Sequence, residues 1–216
     1  FVFIQEAIAE HKIAEQRSLI FDRISTEHGL SQGIVTAIAQ DPDGFIWVGT
    51  QEGLNRYDGY RFESYYHIEG DESSLSHDYI RSLLFGKDGS LWVGTDAGLN
   101  KFDHNKKTFN HFDLGLSNEV VYSLAETSDG DVWIGTSKGL VVLGAHDTAH
   151  QLISKFDSEI IGPGRIRAIS EMRNGEVWVG TEGNGIFIVD AQGKEVSKPD
   201  VLLHDSDIRD ILEGSV

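Results

Sequence analysis

A chain of 216 residues, 39% of them hydrophobic, can bury a sizeable core, which excludes a disordered polypeptide. Its 35 acidic against 18 basic residues give a formal charge of −17, which repels phosphate backbones and argues against a nucleic-acid partner. The absence of cysteine removes disulfides, zinc–thiolate sites and thiol nucleophiles together, and no run approaches the ~18 apolar residues that span a bilayer.

In chain order, Phe1-Val2-Phe3-Ile4 is apolar and Ala7-Ile8-Ala9 fits the small-x-small pattern of signal-peptidase cleavage. Residues 1–17 are thus expected to be a signal-peptide stub and linker; the alternative is an amphipathic helix over residues 5–17. Ser18 to Ile24 has the pattern of an isolated outer strand.

Four tryptophans then mark an internal repeat: Trp47, Trp92, Trp133 and Trp178, at spacings of 45, 41 and 45 residues. Each lies in one recurring phrase. Asp43-Gly44-Phe45-Ile46-Trp47-Val48-Gly49-Thr50 is followed by Asp88-Gly89-Ser90-Leu91-Trp92-Val93-Gly94-Thr95. The later copies are Asp129-Gly130-Asp131-Val132-Trp133-Ile134-Gly135-Thr136 and Asn174-Gly175-Glu176-Val177-Trp178-Val179-Gly180-Thr181. Asp-Gly and Asn-Gly predict type I′ hairpin turns, with positive φ at Gly44, Gly89, Gly130 and Gly175. A β-branched strand precedes each turn and the tryptophan strand follows it. Gly53-Leu54, Gly98-Leu99, Gly139-Leu140 and Gly185-Ile186 each open a third strand, and Arg61 to His67 and Thr108 to Phe112 supply fourth strands. Four antiparallel strands in meander order make one propeller blade.

Side chains on a strand alternate, so Gly49, Gly94, Gly135 and Gly180 share a face with the tryptophans two residues before them. The tryptophans are expected to lie between blades, and these glycines to leave room for the neighbouring blade. After the fourth repeat, Asp207-Ile208-Arg209-Asp210-Ile211-Leu212 matches the strand that opens a blade, as Arg165-Ile166-Arg167-Ala168-Ile169 does. Residues 18–216 thus read as a partial β-propeller, an all-β fold of four four-stranded blades plus the first strand of a fifth. Alone, such an arc should self-associate through its open edges, whereas about seven repeats should form a soluble unit.

Gly29-Leu30-Ser31-Gln32, Gln40 to Thr50, Gly53-Leu54-Asn55-Arg56-Tyr57-Asp58-Gly59, Ser74-Leu75-Ser76 and Gly98-Leu99-Asn100-Lys101-Phe102-Asp103 resemble the two-component regulator propeller repeat. The resemblance runs from about residue 18 to 212 and weakens in the fourth copy, where Gly183-Asn184-Gly185-Ile186 replaces the usual turn. It implies a seven-bladed ring in a periplasmic sensor, ahead of a membrane span and a cytoplasmic histidine kinase or diguanylate cyclase. It also implies a small-molecule or saccharide ligand and a homodimeric receptor. A scaffold propeller that binds another protein is the competing expectation, and a propeller hydrolase or lyase is the third.

No catalytic site or cofactor motif stands out. Gln40 and Pro42 occupy the Ser and Asp positions of the sialidase-type box, and Glu126 and Ser128 do so in the third copy. No phosphate-binding glycine loop opens a helix, and the histidine pairs His104/His111 and His146/His150 lack a repeated carboxylate partner, so no metal is expected. If the propeller senses a ligand, recognition belongs to the variable inter-blade loops, His67 to Asp78, Asp113 to Glu119 and Asp157 to Arg165. These should gather on one face, and Tyr65, Tyr66, His67 and Arg165 are the candidate ligand contacts.

Overall fold

The computed structural model describes residues 22–116, 119–146, 149–157, 164–190, 196–199 and 207–214. The expected leader and most of the Ser18 to Ile24 strand lie outside them, and residues 22–24 carry no strand. The described chain forms four four-stranded antiparallel sheets, each a meander of consecutive strands. Blade one holds β1 (Val35–Gln40), β2 (Ile46–Thr50), β3 (Gly53–Tyr57) and β4 (Phe62–Tyr65); blade two holds β5 (Ile80–Phe85), β6 (Leu91–Thr95), β7 (Gly98–Asp103) and β8 (Thr108–Phe112). Blade three holds β9 (Val121–Glu126), β10 (Val132–Thr136), β11 (Gly139–His146) and β12 (Ala149–Asp157). Blade four holds β13 (Ile166–Glu171), β14 (Val177–Thr181), β15 (Ile186–Val189) and β16 (Val196–Ser197). A single 3-10 turn, Thr26–His28, precedes them.

Gly44, Gly89, Gly130 and Gly175 all have positive φ, between 79° and 93°. The turns are nevertheless not type I′, because Asp43, Asp88, Asp129 and Asn174 do not share the positive φ that type requires. Instead the Gly44 amide donates to the Asp41 carbonyl (3.0 Å) and the Asp41 amide to the Phe45 carbonyl (3.0 Å), a type I turn closed by a left-handed glycine. The same pair of bonds recurs at Gly86/Ser90, Thr127/Asp131 and Met172/Glu176. In the first turn the buried Asp41 carboxylate accepts from the Asp43 and Phe45 amides and from the Trp47 indole, at 3.0, 2.9 and 3.1 Å.

The first strands β1, β5, β9 and β13 contact one another in succession, which makes them the innermost strands around an axis. Each tryptophan reaches toward the following blade. Trp47 meets Phe102 and Phe85 at 5.1 and 6.2 Å, Trp92 shares a core with Val121, Val132 and Ile134, and Trp133 with Ile166, Val177 and Val179. These three rings are at most 3% exposed. Trp178 is only half-buried and lines an open cleft together with Ile211 and Leu212.

The glycines interlock the blades. A Cβ at Gly49 would lie 2.6 Å from Ile80, one at Gly94 2.6 Å from Val121, one at Gly135 2.6 Å from Ile166 and one at Gly180 2.5 Å from Ile208. Ile208 therefore packs where Ile80, Val121 and Ile166 open their blades, and its amide donates to the Thr181 carbonyl (3.0 Å), but residues 207–214 carry no strand, so the expected first strand of a fifth blade is not formed there. Polar stitches run beside this contact: Thr36, Ser82 and Ser123 hydroxyls donate to the Ile80, Val121 and Ile166 carbonyls. At the other end of the arc, Ile34, Val35 and Ile38 present an apolar face, 43–66% exposed.

The motif polar residues have a packing reason. Buried Asn55 accepts from the Ser31 amide and donates to Ser31 Oγ and the Val48 carbonyl, while Ser31 Oγ meets Thr50 Oγ1. Asn100, Ser76, Thr95 and Val93 repeat the arrangement in blade two. In blades three and four the asparagine position holds Val141 and Phe187, which are buried in the core instead.

Candidate functional site at the axial face

Meander order places the inter-blade connections and the turns between second and third strands at the same ends of the blades. Backbone bonds staple them: the Asp96, Ser137 and Glu182 amides donate to the Tyr79, Val120 and Arg165 carbonyls at 3.2, 3.1 and 2.8 Å. Each first strand also carries a bulge near its start, between Val35 and Ala37, Ile80 and Ser82, Val121 and Ser123, and Ile166 and Ala168. The extra residues are Thr36, Arg81, Tyr122 and Arg167. A bulge leaves one residue out of the ladder and re-aims its side chain, so four blades put these groups at corresponding places near the axis.

Three of them, Arg81, Tyr122 and Arg167, belong to a polar line across the blades. Gln51 Nε2 donates to the Tyr79 hydroxyl at 3.2 Å, and the Arg81 guanidinium lies 3.7 Å above the Tyr79 ring centroid. Arg81 also reaches Tyr122, at 5.5 Å, and Arg167 and Arg165 approach the same ring at 4.6 and 5.4 Å. Arg81 donates through Nε and Nη2 to Asp96 at 2.5 and 3.0 Å, and Arg167 donates to Glu182 at 3.1 and 2.8 Å. Arg165, half-exposed, makes only longer contacts with Glu182, at 3.3–3.4 Å.

The bond to Asp96 raises the Arg81 pKa further, and the Arg167 bond, helped by the charge of Arg165, holds the Glu182 carboxyl below its ordinary range. Beside Asp96 opens a cleft of about 320 Å³ lined by Phe112 at the end of β8 and by Asp113, Leu114, Leu116 and Glu119 of one of the expected recognition loops. Glu119 is buried there against Lys138, 2.8 Å away.

The four candidate contacts read from the sequence fall in different settings. Arg165 belongs to the axial cluster. Tyr65 is wedged between blades one and two, 5.8 Å from Trp47, 5.2 Å from Phe102 and 5.7 Å from Phe109, and burial drives its phenol pKa upward. Tyr66 is 47% exposed against the Gly53 turn. The His67 amide donates to Asp78 and its Nδ1 meets the Leu75 carbonyl, both at 2.7 Å. The loop they begin covers the edge of blade two: the Phe109 amide donates to the Ser73 carbonyl, and His111 Nε2 meets that of Ser74.

Arg81, Tyr122 and Arg167 were not among the sequence candidates. Their signal was present, since each directly follows the apolar residue that opens a blade, Ile80, Val121 or Ile166. Among the described residues, no group of three or more His, Asp or Glu side chains is placed to hold a metal ion. No helix among them is long and apolar enough to cross a membrane.

Known proteins give this geometry a context. A histidine kinase, P4, of Formosa agariphila is 40% identical over 63 residues, which is 29% of this chain and 5% of the kinase. The extracellular domain of a hybrid two-component system from B. thetaiotaomicron superposes with a TM-score of 0.68 at 23% identity, over 83% of this chain and 25% of that one. Virginiamycin B lyase from Staphylococcus aureus shares the propeller fold at 12% identity and a TM-score of 0.61, over 78% of this chain and 56% of the lyase. The chain thus spans a small part of the kinase and a quarter of the two-component domain. The two-component regulator propeller profile matches residues 29–52, 74–97 and 115–138, each running from the start of a repeat through its tryptophan strand and the turn after it. Three successive blades of this chain therefore carry the two-component regulator propeller repeat.

Proposed function

We propose that this chain is the ligand-sensing propeller of a bacterial signal-transduction receptor, working outside the cytoplasm. The observation that carries the reading is the run of three regulator-propeller repeats. The receptor is a homodimer, and its output is a histidine kinase or diguanylate cyclase encoded downstream. A small molecule or saccharide is recognised on the axial face, where side chains from separate blades converge and where a ligand would bias how the blades sit against one another.

Two measurements test this. The downstream reading frame should encode a membrane span followed by a kinase or cyclase; a secreted enzyme there would sink the sensor role. In the whole receptor, Tyr122→Ala should abolish ligand-dependent output while leaving the protein at its normal level in the membrane. Full signalling by that variant would remove the axial face from recognition.

A further inference from the structure

The axial cluster carries charge opposite to that of the chain as a whole. Three guanidiniums, Arg81, Arg165 and Arg167, surround the Tyr122 ring within 5.5 Å of its centroid, and two carboxylates, Asp96 and Glu182, are shared among them. One positive charge is left over in a protein of formal charge −17. Screening limits distant charges to about 8 Å at physiological salt, so an anion at this spot feels mainly the local arginines.

The cations also differ in availability. Arg81 and Arg167 are committed to short paired bonds, whereas Arg165 is half-exposed and holds Glu182 only at 3.3 Å or beyond. An incoming carboxylate or sulfate can take the Arg165 fork with two parallel bonds and leave the Arg167–Glu182 pair intact. The Tyr122 ring beside it offers an apolar surface for the rest of the ligand.

We infer that the axial face binds an anionic group of the ligand, a carboxylate or sulfate ester, through Arg165 with Arg167 and Tyr122 beside it. This rests on the sensing role and specifies its ligand class. The probes are galacturonate, galactose 6-sulfate and galactose, titrated calorimetrically into the protein at constant ionic strength.

At least one anionic sugar should bind ten or more times tighter than galactose, weaken as salt rises, and lose about tenfold in affinity in Arg165→Gln. Which anion wins distinguishes carboxylate from sulfate, and either supports the site. Arg165 is exposed enough that Arg165→Gln should keep the unfolding midpoint, and Arg165→Lys should recover part of the binding. Equal binding of all three sugars, lost in Tyr122→Ala but retained in Arg165→Gln, overturns the anionic site while leaving recognition on this face standing. Anion binding indifferent to both Arg165→Gln and Arg167→Gln, or binding of none of the probes, also overturns it.

Discussion

A methyl group on Gly94 would meet Val121 Cγ1 at 2.6 Å and the Val121 carbonyl oxygen at 2.9 Å, with Ser82 Oγ on its other side. Val121 is fully buried and β-branched, and its carbonyl is main chain, so little of the clash can be relieved by a rotamer change. Gly94→Ala must instead push blades two and three apart by some tenths of an ångström. Overpacking of this kind costs about 1–3 kcal/mol. Gly94 does not sit at positive φ, so alanine also restricts the unfolded chain and returns about 0.4–1 kcal/mol. The expected net loss is about 1–2 kcal/mol. Gly33→Ala is the control: it too avoids positive φ, a Cβ there meets nothing within 4 Å, and it should be neutral or stabilising. Urea unfolding of both variants, compared at equal slope, measures the difference. If Gly94→Ala unfolds at the same urea concentration as Gly33→Ala or above it, the glycine is not where the blades interlock, and the account of the repeat is wrong.

Trp92→Ala empties a site that is 1% exposed between blades two and three and should cost about 3–5 kcal/mol; a loss below about 1 kcal/mol would contradict its packing role. Asn100→Ala removes the acceptor of the Ser76 amide and a donor to the buried Val93 carbonyl, while the Ser76 hydroxyl keeps Thr95 Oγ1, so a loss of about 1–3 kcal/mol is expected in the same assay, and wild-type stability would show these bonds to be dispensable. The Glu182 carboxyl titrates below its ordinary value of 4.5, so the stability it contributes is complete above that value and is lost as pH falls through the lowered one. Its exposure keeps this contribution small, and the direct test is carboxyl titration by NMR: in Arg167→Gln the Glu182 midpoint should rise toward 4.5, and an unmoved midpoint would show that Arg167 does not hold it down.

Much of the architecture was legible in the residues alone because it is local and repeated. Asp-Gly or Asn-Gly before each tryptophan strand marked four hairpins, and the Trp-x-Gly spacing marked the face shared by ring and gap, since both follow from strand period and backbone sterics within a few residues. The turn type was not legible: Asp-Gly suits type I′ equally well, and the three-residue loop emerged only with the bonds made by Asp41 and Phe45. Tyr65 likewise read as the beginning of a variable loop, whereas the next blade's Phe102 and Phe109 make it an inter-blade wedge.

The axial cluster depended most on tertiary structure. Arg81, Tyr122 and Arg167 stand more than forty residues apart in sequence, and only the bulges of three separate first strands bring them to one ring. Sequence determined the blade, because a blade is made of neighbours. What gathers at the axis was decided by how blades stack, because stacking sums one contact per repeat across the whole arc.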